Sequence, residues 1–114
     1  MKTKKELKEE YKSMKFSAGI YQIINKLENK IYLQTTLDLD RAFNSDIFQL
    51  KGNLHFNKNL QSDWNKLGAE SFEFKTFDEL EMRDTATSQE IKKELKIFLE
   101  MHLIELKKNG QLLY

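Results

Sequence analysis

Apolar residues recur every three or four positions in several stretches of the chain, which is the spacing of one face of an α-helix. This pattern predicts helices over residues 3–14, 38–50 and 88–108, and a short helix between the last two that ends at Gly68. We expect Trp64 of the short helix to be buried. The apolar positions that define the first three helices are Leu7, Tyr11, Met14, Leu39, Phe43, Ile47, Leu50, Leu60, Trp64 and Leu67.

Two neighbouring segments, 18–25 and 30–36, are rich in β-branched and apolar residues, and the polar stretch between them predicts a β-hairpin. A third segment, "SFEFKTF", alternates phenylalanine with polar residues, which indicates a strand with one buried face. The order helix, hairpin, two helices, strand, helix predicts an α+β fold, in which helices cover a small, largely antiparallel sheet. We expect residues 1–16 to form an N-terminal helical extension and residues 17–114 to form the domain itself.

The composition fits one globular domain, because 114 residues are enough for one core and 32% of them are charged. There is no cysteine, which excludes disulfides, thiolate metal sites and cysteine nucleophiles. No apolar run is long enough to cross a membrane and no signal peptide is evident, so we expect a cytoplasmic protein without a membrane partner. The net charge of +1 does not by itself indicate a nucleic-acid partner.

The predicted hairpin carries two tyrosines, Tyr21 and Tyr32. If its turn has an even number of residues, the two-residue repeat of a strand places both side chains on one face of the sheet. Taken alone, this pattern favours two aromatic residues that pack under a helix. The two histidines, His55 and His102, stand alone in the sequence, and no phosphate-binding loop or nucleotide-binding fingerprint is present.

Four stretches taken together resemble a GIY-YIG nuclease domain: "GIYQIINKLENKIYLQTT", "LDRAFN", "NKNLQSDWNKLGAESFEF" and "FLEMHLIEL". The resemblance covers about Ala18 to Tyr114, and the N-terminal helix and "EMHL" are similar to small stand-alone GIY-YIG-like proteins of Bacteroidetes. It implies a three-stranded antiparallel sheet flanked by helices, with an extra N-terminal helix in this chain. It also implies hydrolysis of a DNA phosphodiester with one divalent metal ion, Mg²⁺ or Mn²⁺.

The resemblance assigns catalytic roles to three residues. Tyr21 matches the tyrosine of the first motif and Tyr32 that of the second, at the face where the scissile phosphate binds. Glu100, within "EMHLIEL", matches the glutamate that holds the metal ion. We expect the two tyrosines to lie close together, with Glu100 across a shallow cleft from them.

Three positions depart from the family pattern. Gln34 replaces the glycine of the second motif and would partly fill the space that a substrate needs. Ala42 occupies the position of the phosphate-binding arginine, and Arg41, a further catalytic candidate, lies one residue earlier, a rotation of roughly 100° toward solvent on a helix. Asp46 stands where many members have a histidine, and a carboxylate there repels phosphate. Because one lost charge-stabilising donor costs about 10²–10³ in rate, these departures predict impaired catalysis.

Three functions remain open. The first is a catalytically impaired domain that binds DNA weakly through a loop cluster of Lys51, His55, Asn57 and Lys58, with His55 also a candidate at the edge of the site. Such a domain needs no cofactor. The second is an active divalent-metal-dependent DNA endonuclease in which Arg41 is repositioned. The third is a protein-interaction module, for which the N-terminal helix is a candidate homodimer contact.

Overall fold

The computed structural model describes residues 17–80 and 87–114. The predicted N-terminal helix, the boundary at residue 16 and a dimer contact through that helix lie outside the described residues. Within those two segments, every helix lacks either the length or the hydropathy of a membrane span.

Four strands and three α-helices make up the described chain, and they confirm the predicted α+β fold. A hairpin comes first, two helices follow it, and a long strand then leads to the longest helix. The bounds are β1 Ala18–Asn25, β2 Lys30–Thr36, α1 Leu39–Lys51, α2 Lys58–Leu67, β3 Phe72–Leu80, α3 Ser88–Lys108 and β4 Leu112–Leu113.

The strands form one sheet in the order β3-β1-β2-β4, so a fourth strand joins the three that were expected. β1 pairs antiparallel with both β2 and β3, whereas β4 pairs parallel with β2, Leu112 opposite Lys30 and Leu113 opposite Ile31. The Tyr114 amide extends this contact by donating to the Ile31 carbonyl at 3.0 Å. A two-residue strand is too short to show alternation of polar and apolar positions, so the sequence pattern does not indicate it.

Each helix begins next to a side chain that accepts a hydrogen bond from the backbone of its first turn. Asp38, Asn57 and Thr87 fill this role for α1, α2 and α3 respectively. α2 ends at Gly68, whose φ of +85° is accessible to glycine without strain. These caps set where each helix starts and therefore which side chains face the sheet.

Helices cover both faces of the sheet, and each face has its own apolar core. α1 and α2 pack on the face that carries the two tyrosines, and Trp64 is buried there, as predicted. The buried members of this first core are Tyr21, Ile23, Tyr32, Leu39, Ala42, Leu50, Leu60, Trp64 and Phe72. α3 packs on the opposite face, where the buried members of the second core are Ala18, Ile20, Leu33, Ile91 and Leu95.

β1 and β3 approach each other closely at Gly19. A side-chain carbon added to Gly19 would overlap the backbone carbonyl oxygen of Asp78, which cannot move aside without disturbing the strand. The pairing register shifts immediately afterwards, between Ile20 and Tyr21. The glycine of the first motif is therefore required by the packing of two strands.

Candidate functional site

Tyr21 and Tyr32 lie on the same face of the sheet, as predicted. In the β1–β2 ladder Tyr21 lies opposite Gln34 and Tyr32 lies opposite Ile23, and directly opposed residues share a face. The turn between the paired residues Asn25 and Lys30 contains four residues, an even number, as the prediction required.

Each tyrosine ring packs against another aromatic ring. Tyr21 contacts Phe43 of α1 edge-to-face, with 5.7 Å between the ring centroids, and Tyr32 contacts His55 in the same way at 5.5 Å. Phe56 stacks on the His55 ring at 4.8 Å while 63% of Phe56 remains exposed. Both tyrosines are only 5% exposed, so their rings belong to the core even though the family resemblance assigns their hydroxyls to catalysis.

Burial holds both tyrosine hydroxyls in the neutral form. Burial and the neighbouring Asp46 carboxylate raise the pKa of Tyr21 far above its ordinary value. Burial also raises the pKa of Tyr32 to about 12, with the hydrogen bond from Gln34 opposing the shift and the charge of Asp46 adding to it. A hydroxyl that ionises this reluctantly is a poor base for activating water near neutral pH.

Gln34 covers the hydroxyl of Tyr32. Its Nε2 donates to the Tyr32 hydroxyl oxygen at 3.2 Å, and its Oε1 accepts from the Thr35 amide at 2.9 Å. Both ends of the side chain are therefore engaged next to the tyrosine. Gln34 occupies the space that a glycine at this position would leave open to substrate.

Asp46 and His55 form a buried pair next to the tyrosines. His55 Nε2 lies 3.0 Å from Asp46 Oδ1, and the two side chains are 0% and 5% exposed respectively. The Asn57 amide donates to His55 Nδ1 at 3.1 Å, so Nδ1 must carry a lone pair and the ring proton must be on Nε2. His55 is therefore a neutral imidazole that donates to the Asp46 carboxylate.

The expectation that His55 lies in a phosphate-contacting surface cluster is wrong, because the residue is fully buried. Lys51 and Lys58 are exposed, as that cluster requires, whereas the Asn57 side chain caps α2. The sequence around His55 is polar and lacks a period, so it does not reveal a buried partner nine positions away. The Gln61 side chain accepts from the His55 amide at 3.0 Å and completes the buried network.

A cavity of about 290 Å³ lies beside Tyr21, between the end of β2 and helix α1. Its lining is Tyr21, Thr35, Thr36, Asp38, Arg41, Ala42, Ser45, Asp46, Gln49 and Phe56. The Asp46 carboxylate is buried, and a hydrogen bond from the Tyr21 hydroxyl to it is one cause of the raised pKa of Tyr21. We refer to this space as the Asp46 cavity.

Arg41 is exposed, as expected, and contributes to the lining of the Asp46 cavity. Its guanidinium makes no ion pair with a carboxylate among residues 17–80 and 87–114. Ala42, at the position of the family's arginine, is 8% exposed and belongs to the first core. The described structure therefore has no guanidinium where the resemblance expects one.

Glu100 does not line the Asp46 cavity. It is exposed on α3, and α3 packs through Ile91 and Leu95 against the face of the sheet opposite to the tyrosines. Its place across a shallow cleft from the tyrosines stays a prediction, since residues of α3 line a neighbouring cavity that shares Thr35 and Thr36 with the Asp46 cavity. Within the two described segments, no three His, Cys, Asp or Glu side chains form a group that could hold a metal ion.

A second, more open cavity of about 530 Å³ runs along α2. Its lining is Asn53, Lys58, Gln61, Ser62, Asn65 and Lys66. It combines two lysines with neutral amide and hydroxyl groups and contains no carboxylate. The lysines are donors that proteins use against phosphate oxygens, whereas the amides of Gln61 and Asn65 already donate within the protein. We call this surface the α2 groove; of the predicted loop cluster, Lys58 lies in it.

One polar network has no counterpart among the sequence motifs. The Tyr114 hydroxyl donates to Asp63 Oδ2 at 2.7 Å and accepts from Asn25 Nδ2 at 3.0 Å. Burial and the hydrogen bond to Asp63 raise the pKa of Tyr114 above its ordinary value. This network joins the hairpin, α2 and the strand β4, and no periodic pattern could have indicated it.

Two solved structures similar to this chain are of the catalytic domain of homing endonuclease I-TevI. The first is 27% identical, covers 74% of this chain and 86% of that chain, and has a TM-score of 0.58. The second, of the same domain of this intron endonuclease with a glutamate-to-alanine substitution, is 28% identical, covers 71% and 86% respectively, and has a TM-score of 0.54. No protein-family model and no curated protein matches the chain.

Proposed function

This chain has a GIY-YIG-type nuclease fold, and from that premise we propose that it is a nucleic-acid-binding domain whose hydrolytic site is impaired. The observation that carries this proposal is the buried pair of Asp46 and His55. It fixes a carboxylate beside Tyr21, at a position where the resemblance expects a histidine. A negative charge at that place repels the phosphate that a nuclease must bind.

Two neighbouring features support an impaired site. Tyr32 is neutral and its hydroxyl is covered by Gln34. Ala42 takes the place of a phosphate-binding arginine. Each of these removes an interaction that would stabilise charge in the transition state of hydrolysis.

The α2 groove supports nucleic acid as the partner. It presents Lys58 and Lys66 and no acidic group, and Lys51 is exposed at the end of α1. Few cationic contacts are available, so we propose DNA binding that is weak and sensitive to salt.

A nicking assay tests the impaired site. With Mg²⁺ or Mn²⁺, the purified protein should relax supercoiled plasmid no faster than its Glu100→Ala variant, because the described site has no cation at the place of the scissile phosphate. The assay is run across pH and metal concentration. Turnover that is abolished by both Tyr21→Phe and Glu100→Ala would refute the impaired site and establish a metal-dependent endonuclease.

A binding assay tests the α2 groove. Lys58→Glu combined with Lys66→Glu should weaken binding to a fluorescent duplex oligonucleotide by about tenfold or more at low salt, because two phosphate contacts become repulsive. The matched control is Lys93→Glu combined with Lys108→Glu, an equal change of charge at exposed positions on α3. Fluorescence anisotropy over a salt series gives both affinities. Equal losses in the two double variants would show that net charge, and not the groove, governs binding.

An active endonuclease is the second candidate, and one observation favours it. Arg41 lines the same cavity as Tyr21, so a rotation of its side chain would bring a guanidinium toward that hydroxyl. The same nicking assay separates the two functions, since an active enzyme of this kind loses its turnover in Arg41→Ala.

A further inference from the structure

Two phenylalanine side chains lie at the surface near Arg41. Phe48, on α1, is 73% exposed, and Phe56, in the loop between α1 and α2, is 63% exposed. Arg41 lines the Asp46 cavity together with Phe56, and it lines a second cavity of about 530 Å³ together with Phe48, Asn44 and Ser45. We call this second space the Phe48 cavity. One cation is therefore common to the surroundings of two exposed aromatic rings.

The ring of Phe56 is supported on one face. It stacks on the His55 ring, with the ring centroids 4.8 Å apart and the two planes inclined by 19°. The His55 ring is itself buried and fixed by hydrogen bonds with Asp46 and Asn57. Because Phe56 rests on a fixed ring while most of it stays exposed, its outer face is a preorganised platform for another planar group.

The charge next to Phe48 is positive. Arg41, Ser45 and Phe48 share the outer face of α1, because they are four and three positions apart. Among the described residues, the lining of the Phe48 cavity contains no carboxylate. The Arg41 guanidinium makes no ion pair within residues 17–80 and 87–114. An anion in this cavity therefore meets the guanidinium in a lining without acidic side chains.

The combination of two aromatic faces and one guanidinium matches the chemistry of a single strand of nucleic acid. The bases of a single strand stack on aromatic side chains, and the phosphates that join them contact cations. In a duplex the base faces are stacked on one another, and only the base edges are exposed in the grooves. A duplex therefore offers these two rings no planar partner.

We propose that Phe48, Arg41 and Phe56 form a site for single-stranded DNA. One base stacks on each ring, and Arg41 contacts a phosphate of the backbone between them in the Phe48 cavity. This inference rests on the proposed function and narrows it, because it names unpaired bases as the part of the nucleic acid that the protein recognises.

Fluorescence anisotropy with a short labelled oligothymidine tests the two platforms on the full chain. Phe48→Ala and Phe56→Ala should each weaken binding by about fivefold or more, the usual loss when a stacking ring is removed. Phe56→Trp should retain binding because it keeps an aromatic face, whereas Phe56→Leu keeps only the apolar character and should behave as Phe56→Ala does. Ile104→Ala is the matched control, since it removes a side chain of α3 that is 67% exposed, and should bind as the wild type does.

The salt dependence of the same binding tests the role of Arg41. Arg41→Gln should lower the slope of the logarithm of affinity against the logarithm of salt concentration by about 0.7, the value for one phosphate contact on a single strand. An unchanged slope would contradict a phosphate contact at Arg41 and overturn the proposed site.

Phe56→Trp also gives a second measurement. Stacking of a base on the new exposed ring should quench its fluorescence when the oligothymidine is added. The wild type should show no quenching, because Trp64 is only 8% exposed. Absence of quenching in Phe56→Trp would overturn the inference, and so would wild-type affinity in Phe56→Leu, since apolar contact and not base stacking would then be the source of binding.

A duplex of the same length separates this inference from the proposed function. The phenylalanine variants should bind the duplex as the wild type does. Binding to the duplex but not to the single strand, or equal losses on both in the phenylalanine variants, would overturn the inference and leave the proposed function standing. If the wild type binds neither DNA, both fail. A single cooperative urea transition in each variant confirms that a loss of binding is not a loss of the fold.

Discussion

At the scale of single residues, the behaviour of Asp46 shows where sequence patterns stop being informative. Periodicity predicts an apolar face of α1 through Phe43 and Ile47, but these two are only half-buried. The buried positions of the helix are Leu39, Ala42, Asp46 and Leu50. A carboxylate can occupy one of these positions because His55 donates a hydrogen bond to it from a different part of the chain. The two residues are nine positions apart and belong to separate segments, so their pairing leaves no periodic signal.

The shared face of the two hairpin tyrosines, by contrast, could be predicted from the sequence. Tyr21 and Tyr32 share a face because strands alternate with a period of two and the turn is even. Their degree of burial could not be predicted, since it depends on how α1, α2 and the ring of His55 cover that face.

Tyr32 should make the protein less stable at high pH. Its pKa is about 12 in the folded protein against 10 ordinarily, so the folded state keeps a proton that the unfolded chain loses. The resulting stabilisation is complete below pH 10 and is lost as the pH rises toward 12. Tyr32→Phe should therefore flatten the decline in the free energy of unfolding over this range, measured by urea titration at each pH. If the free energy of unfolding falls with pH as steeply in Tyr32→Phe as in the wild type, burial does not raise the pKa of Tyr32.

At the scale of elements, long segments with clear periodicity were predicted well and short ones were not. The segment predicted as 38–50 corresponds to Leu39–Lys51, and the final helix matches its predicted range of 88–108. β4 was missed because two residues show no pattern, and its position depends on the long-range hydrogen bond from Tyr114 to Ile31. Local propensity determines helices, whereas a strand of this length exists only through its neighbour.

Substitution of Trp64 tests the prediction that the apolar face of α2, formed by Leu60, Trp64 and Leu67, belongs to the core. Trp64 packs against Phe72 and Phe74, with ring centroids 5.4 and 6.3 Å away. Trp64→Ala should destabilise the protein by about 3–5 kcal/mol, as truncation of a buried aromatic residue does. Circular dichroism in urea is the appropriate measurement, because the variant lacks the sole tryptophan. A urea unfolding midpoint close to that of the wild type would contradict the burial of this apolar face.

At the scale of the whole molecule, one sheet separates two apolar cores. Tyr21, Tyr32 and Asp46 belong to the side of α1 and α2, whereas Glu100 is on the helix that packs on the other side. The resemblance of the sequence motifs predicted the fold, because the order of helices and strands along the chain largely determines the topology. It could not predict which side chains converge, because convergence depends on the packing of each helix.

The two cores should respond independently to small cavities. Ile23→Val in the first core and Ile91→Val in the second should each cost about 0.5–1.5 kcal/mol. Because the sheet lies between them and they share no core, the double variant should equal the sum within about 0.5 kcal/mol. Trp64 fluorescence and circular dichroism should give the same urea midpoint. If the double variant departs from the sum by more than this, the two cores are energetically coupled. If the two probes give different midpoints, unfolding is not a single cooperative transition.

The four-residue turn between β1 and β2 constrains how this sequence can change over evolutionary time. One residue added to that turn would shift the register of β2 and move Tyr32 and Gln34 to the side of α3, while Ile31 and Leu33 would move to the side of α1. Every one of those exchanges places a side chain in the wrong core. Lineages that retain both tyrosines should therefore lengthen or shorten this turn in steps of two, and single-residue insertions there should be eliminated by selection.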